Sequence, residues 1–402
     1  MDRGPAGADR LWTCALPGRR ACGKNRACRK WRRNIFRAAP RPFPQELLSH
    51  IRTWRSCCPG FPSDRSGAAE VFSFPGRNDN WSGVTDGGHA VFVKRLSGKT
   101  PESLARFRRV LAFENSAHGI PHPVLIGSDE ESRLLVFEFI EDGRSGNELA
   151  ADDEFTPELS RQVGEVLARL HDLDPAHGTD VTDVLDDPHS LPPVAELEAL
   201  PLRAYLSATG ASLQAWGLLQ RDAPLVGALR ALRDSEAGVA RVPGHGDFRL
   251  DQLLVRDGTV HVTDWEEFRL MDPARDVGAW TGEWLYRAVL RIPVTGGEDD
   301  GTFGPTLSHD EILERGQREI ARVLPLVGAF WDGYRAHRPT PDPALPVRAT
   351  AYAGWHLIDR LLASTRESAR LSAIVRAAAG IGRTALLDPE RFTSAVGLGD
   401  AP

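Results

Sequence analysis

Two carboxylates and an amide are set at informative spacing in residues 242–280, VPGHGDFRLDQLLVRDGTVHVTDWEEFRLMDPARDVGAW. Residues 252–255 and 259–263 read as the two strands of a β-hairpin, with Asp257-Gly258 as its turn. Asp247 precedes this hairpin and Asp264 follows it. A hairpin returns the chain to where it started, so the two acids meet at its open end. Gln252 enters the first strand a few residues after Asp247 and points to the same place. An acid, an amide and a second acid form a set that phosphoryl transfer uses. One carboxylate orients the attacking hydroxyl, while oxygen donors hold Mg²⁺ on nucleotide phosphates. The competing reading is a surface hairpin with solvated acids. His245-Gly246 ahead of Asp247, and Trp265 after an apolar strand, weigh against it.

The elements that must position this set follow from periodicity and turn residues. Residues 70–74 and 90–96 read as strands, with a turn-rich loop at 75–80 and a turn at Gly87-Gly88. Residues 101–118 read as a helix with Leu104, Phe107 and Leu111 on one face. Residues 134–140 form an apolar strand that Gly, Arg and Ser break at 142–146. Beyond it the chain is mostly helical. Residues 157–173 carry Leu159, Val163, Val166 and Leu170 on one stripe, and further helices are expected at 213–232, 276–290, 311–337 and 348–387. Loops are expected at 296–309 and 337–346.

Here the sequence resembles the aminoglycoside phosphotransferase and choline kinase-like superfamily, which shares the protein-kinase fold. The resemblance rests on His245-Gly246-Asp247, Gln252, Asp264, the Asp272-Pro273-Ala274-Arg275-Asp276 run and the LARLHDLD segment at 167–174. It covers roughly residues 70–390. It implies an α+β, two-lobed fold with a small antiparallel β lobe at 68–141 and a larger, mainly α lobe at 142–397. It implies ATP and Mg²⁺ as cofactors, Asp247 as catalytic base or orienting acid, Gln252 and Asp264 as metal ligands, and Asp276 as a brace for the catalytic loop. The family usually has Asn where Gln252 stands, which leaves the geometry of a second metal open. Arg249 occupies the offset at which protein kinases keep a lysine near the transferred phosphate. A salt bridge to Asp251 or another nearby acid is an equal alternative.

Lys94 stands out by composition as well. Of the 34 basic residues after residue 66, only Lys94 and Lys99 are lysines. Lys94 sits among apolar neighbours in AVFVKRL, where a compact ammonium differs from a planar guanidinium. The resemblance makes it the lysine that pairs the nucleotide phosphates; a snorkelling strand lysine is the alternative. Its glutamate partner is expected to be Glu114, which continues the Leu104/Phe107/Leu111 face. Asp79-Asn80 stands where the family has a loose phosphate-covering loop, so backbone amides around Asn80 and Ser82 are expected over the phosphates, against an ordinary hairpin turn.

Composition bounds the rest. The chain has 402 residues and a formal net charge of −6, which argues against nucleic acid as partner. That charge divides unevenly. Residues 1–66 carry 15 Lys/Arg against 4 Asp/Glu, and the remainder carries 34 against 51. The basic head, residues 1–67, reads as a disordered extension, with a docking arm or targeting segment as alternatives. It holds all five cysteines (Cys14, Cys22, Cys28, Cys57, Cys58), at spacings that match no zinc motif. The rest has none, as expected of a cytoplasmic protein. No run reaches the ~18 apolar residues of a membrane helix.

Three segments, FPGRNDNWSG at 74–83, VFVKRL at 91–96 and HGDFRLDQLLV at 245–255, look like the kinase-like subunit of class V lanthionine synthetases. That resemblance implies phosphorylation of Ser/Thr in a ribosomal precursor peptide, with a separate lyase-like subunit and a cyclase as partners. The alternatives are a small-molecule O-phosphotransferase acting on an aminoglycoside, amino alcohol or sugar, and a non-catalytic kinase fold that binds peptide.

Overall fold

The computed structural model describes residues 72–74, 77–84, 89–117, 119–174, 182–187, 191–293, 307–338, 342–366 and 368–399. The chain divides into two compact units, Met1–Ser97 and Gly98–Pro402. The expectation for the basic head lies outside the described residues, as does most of the loop expected at 296–309.

In the first unit, strands β1 (Phe72–Phe74), β2 (Asp79–Val84) and β3 (Ala90–Arg95) pair antiparallel, with β2 in the middle. Strand side chains alternate between faces, and residues opposite one another share a face. Trp81 opposes Val93, and Asp79 opposes Arg95. On that face Arg95 reaches the Asp79 carboxylate at 2.6 Å and lies over the Trp81 ring. Asn80 opposes Lys94 and Ser82 opposes Phe92, so these residues occupy the other face. The loop expected through Asn80 is shorter than its composition suggests, because β2 starts at Asp79. The β-branched and aromatic residues after it outweigh the turn-forming Asn and Asp.

The second unit opens with the helix Pro101–Ser116, capped by Thr100, whose hydroxyl accepts from the Ser103 amide. Its buried face runs through Ser103, Arg106, Phe107, Val110 and Phe113. The expected Leu104/Leu111 stripe is only half-buried. Arg106 and Arg109 displace it because acids distant in sequence receive them: Arg109 meets Asp187 at 2.7 Å. A hairpin of β4 (Leu125–Asp129) and β5 (Leu134–Glu138) follows. Strand β4 was not anticipated, since Gly127 and a register shift interrupt its short apolar run. The expected break at 142–146 instead holds β6 (Arg144–Ser145), which leads into the helix Gly146–Ala151.

The helical remainder packs by close approach. Helix Pro157–His171 lies along helix His309–His337, and a Cβ on Gly164 would stand 2.0 Å from the Phe330 carbonyl oxygen. Trp280, fully buried on helix Ala274–Arg291, centres an aromatic cluster with Phe155, Phe248, Trp284 and Phe330. Two expected helices are each divided. Arg221 and Asp222 separate Gly210–Gln220 from Ala223–Ser235, whose first turn holds Pro224, and Leu345–Ser364 ends at its cap Thr365 before Ala373–Leu387 begins. Antiparallel strands first and helices after give the expected α+β class. Among the described residues no helix is long and apolar enough to cross a membrane.

Candidate active site

Strand β7 (Val242–Gly244) pairs with β10 (Arg269–Met271) and delivers the chain to His245-Gly246-Asp247. Gly246 has φ of +80°, and a Cβ there would meet the Glu267 carbonyl oxygen at 2.7 Å, so both conformation and space select glycine. The turn leaves two amides facing the buried Asp276 in the first turn of the next helix. His245 N donates to Asp276 Oδ2 at 2.7 Å, and Gly246 N donates to Oδ1 at 3.0 Å. Burial pushes the Asp276 carboxyl up, but His171, His245 and the amide donors outweigh it and hold it below the usual carboxylate range. Asp276 thus ties down the His245-Gly246 turn through both carboxylate oxygens.

His245 closes the hairpin argument. Its Nδ1 accepts from the Asp247 amide at 3.3 Å, which leaves Nε2 to donate to the Thr263 carbonyl oxygen at 2.8 Å. Thr263 in turn donates its amide to the Gln252 carbonyl oxygen at 2.8 Å. The strands between are β8 (Leu253–Arg256) and β9 (Thr259–Val262), joined by Asp257 and Gly258, both at positive φ. That is the twist a two-residue hairpin turn requires. Asp247, Gln252 and the residue before Asp264 are thus tied into one knot.

Asp264 adopts the left-handed conformation, φ 67° and ψ 56°. This is costly for a residue with a Cβ and persists where the surroundings over-determine it. The neighbouring Trp265 supplies that restraint. Its ring stacks on Phe113 with centroids 3.5 Å apart, lies 4.7 Å from His245, and donates Nε1 to the Val262 carbonyl oxygen at 3.2 Å.

Arg249 forks onto Asp247, with Nε to Oδ1 at 2.7 Å and Nη2 to Oδ2 at 2.8 Å. Its Nη2 also lies 3.3 Å from Asp251, so the salt-bridge alternative is the observed contact. Burial draws the Arg249 guanidinium down, but Asp247 and Asp251 raise it further. Gln252 Nε2 reaches Asp247 Oδ2 at 3.4 Å. Nearby, Glu283 accepts from His356 at 3.0 Å. Burial opposes its ionisation, yet His356, Arg360 and Arg249 pull its carboxyl down to about 2.

In the first unit Asn80, Ser82 and Lys94 share one face of the sheet. Because β2 lies between β1 and β3, its amides at Asn80–Ser82 are committed to ladder hydrogen bonds. They are not the open phosphate-covering loop expected there. What remains is side chains: Asn80 Oδ1 is buried without a hydrogen-bond partner, directly across from Lys94. In the second unit Glu114 meets His122 Nε2 at 3.4 Å, and its Oε1 is buried without a partner.

Three residues escaped the sequence reading. His171, buried on helix Pro157–His171, accepts at Nδ1 from the Tyr334 hydroxyl at 2.9 Å and faces Asp276 through Nε2 at 3.4 Å. Its position within LARLHDLD was the available signal. Trp265 was visible as part of Asp-Trp, but not as a stacking partner of Phe113. Arg348 grips Asp272 at 2.8 and 3.0 Å from far along the chain, with no local signal.

All the donors at Asp247, Gln252 and Asp264 are oxygens apart from the amide nitrogen, which suits a hard divalent cation. Among the described residues no group of three or more His, Cys, Asp or Glu side chains could hold a metal by itself.

A family model described as "Phosphotransferase enzyme family" matches residues 72–303. No curated protein matches the chain. Among solved structures the chain is similar to a choline/ethanolamine kinase family protein from Mesorhizobium loti, at 15% identity and a TM-score of 0.46, covering 88% of this chain and 100% of that one. It is similar to choline kinase from Cryptosporidium parvum Iowa II, at 14% identity and a TM-score of 0.49, covering 88% and 97%. It is also similar to amicoumacin kinase hAmiN in complex with AMP-PNP, Ca²⁺ and Ami, at 12% identity and a TM-score of 0.47, covering 86% and 96%.

Proposed function

The chain belongs to the phosphotransferase enzyme family, and on that premise we propose that it phosphorylates Ser/Thr hydroxyls of a ribosomal precursor peptide with Mg-ATP. Asp247 orients the acceptor hydroxyl and takes its proton as the new O–P bond forms and the bond to the leaving diphosphate breaks. Gln252 and Asp264 would hold Mg²⁺, which when bound neutralises charge on the phosphates. Lys94 pairs the nucleotide phosphates, and Asn80 and Ser82 contribute side chains on the Lys94 face. Arg249 meets the transferring phosphate. The observation that carries the phosphotransferase reading is the His245 knot, which gathers Asp247, Gln252 and the Asp264 segment.

The peptide acceptor rests on the resemblance of residues 74–83, 91–96 and 245–255 to class V lanthionine synthetase kinase subunits. Hydroxide is a poor leaving group and phosphate a good one, so a lyase-like subunit would eliminate what this chain attaches, ahead of a cyclase. The second reading is a small-molecule O-phosphotransferase. The acidic balance after residue 66, 34 Lys/Arg against 51 Asp/Glu, favours a cationic acceptor of that kind.

The test is intact mass of a candidate precursor peptide after co-expression with this protein, with and without a lyase-like partner. Phosphate gained with this chain alone, or water lost with both, and neither with Asp247→Ala, is the expected result. An unchanged peptide beside Mg²⁺-dependent ATP use would establish the second reading.

A further inference from the structure

The assignment of Asp247 to the acceptor hydroxyl and of Arg249 to the transferring phosphate is the reading on which this inference rests. In this structure the two side chains engage each other. The Arg249 fork covers both oxygens of the Asp247 carboxylate, at 2.7 and 2.8 Å. The contact is imposed locally. Arg249 is extended, with φ −141° and ψ 168°, and Phe248 between the two residues is fully buried. Phe248 is anchored in the core while its two charged neighbours reach each other.

A carboxylate whose two oxygens are engaged by a guanidinium fork has fewer lone pairs left to accept a hydrogen bond from a hydroxyl than an unengaged one. The pair is nonetheless placed where it can open. Asp247 is 39% exposed and Arg249 17%. Asp251, 3.3 Å from Nη2, gives the guanidinium a second partner on the same side, and Glu283 adds attraction through space. A guanidinium fork matches carboxylate and phosphate equally well in shape, and a terminal phosphate carries more charge than a carboxylate.

We propose that Arg249 is an exchangeable cap on Asp247. It covers the carboxylate in the pair seen here and moves onto the terminal phosphate of a bound nucleoside triphosphate. Asp247 is thereby uncovered only when a transferable phosphate is present. A diphosphate lacks that phosphate, so the cap returns once transfer is complete. No covalent step is involved; one ion pair is exchanged for another.

The test compares full-length protein bound to Mg-AMP-PNP with the same protein bound to Mg-ADP. The expected crystal structures show Arg249 on the terminal phosphate in the first and back on Asp247 in the second. Arg249 on Asp247 in both would overturn the exchange and leave the phosphotransferase site standing. Binding of neither nucleotide would overturn the site reading, and the cap with it. In solution, Arg249→Met should weaken AMP-PNP binding about tenfold and shift ADP binding less than about twofold. Equal shifts for both nucleotides would mark a purely structural ion pair. If the variant does not fold, the two wild-type complexes still decide.

Discussion

Asp264 and its left-handed backbone are the most exacting feature at the scale of single residues. Asp264→Asn keeps the shape and the Trp265 neighbour but removes the charge. It is expected to cost about 100-fold or more in Mg²⁺-dependent ATP consumption while leaving urea unfolding within about 1 kcal/mol of wild type. Retained consumption would remove Asp264 from the metal site. His122 makes a pH-dependent contribution. Burial lowers its pKa from the ordinary 6.5, but the hydrogen bonds to Glu114 and to the Ile120 carbonyl outweigh burial and raise it overall. A histidine raised in the fold adds stability fully below its unfolded value and loses it as pH rises through the folded one. The stability gap between wild type and His122→Ala is therefore expected to be wider at about pH 6 than at about pH 9, as read from denaturant melts. An equal gap at both would show that Glu114 does not favour the charged ring. The residue types at Asp247, Gln252, Asp264 and Lys94 were legible in the sequence because their chemistry is unusual in those settings. The Arg249–Asp247 fork was not, since spacing alone cannot choose between Asp247 and Asp251 as the nearer acid.

Elements hold the site by contacts that deny room to side chains. Gly164 on helix Pro157–His171 touches the backbone of Phe330, and Gly333 on the partner helix touches the backbone of Arg161. The two glycines bring these helices together, which seats His171 against Asp276. Gly164→Val is expected to destabilise the fold by about 3 kcal/mol or more, because neither backbone can yield to the added carbons. Thermal unfolding would show it, and an unchanged melting temperature would mean the helices separate freely. Amphipathic stripes identified this helix, since Val163, Val166 and Leu170 are all buried. The same periodicity misplaced the buried face of helix Pro101–Ser116: of the Leu104/Phe107/Leu111 stripe only Phe107 is buried, and the buried face turns away from the leucines through Arg106 and Arg109. Local hydrophobicity reads burial only where the partner surface is also apolar. Divided helices escaped for a related reason: Asp222 with Pro224 is a start signal embedded in a continuous apolar pattern.

For the whole molecule, the phosphotransferase with a hydroxyl acceptor is held by a few long-range ion pairs. Asp272 has no exposure and is gripped by Arg348, 76 positions later. Arg348→Ala would leave a buried carboxylate without its guanidinium and is expected to cost about 3 kcal/mol, measured by denaturant unfolding. A loss under about 0.5 kcal/mol would mean Asp272 finds solvent instead. The order of strands before helices, the β8–β9 hairpin and the identity of the acids at its open end were determined by sequence alone. All of these follow from local rules: periodicity, turn chemistry and the return of a hairpin to its origin. The tertiary structure decided which groups those acids face. It set Asp276 beneath the loop amides, His245 across the hairpin mouth, Trp265 against Phe113 and Arg249 over Asp247. Each of these is a choice among several chemically equivalent partners, and only the packing of distant segments brings one of them within hydrogen-bond reach.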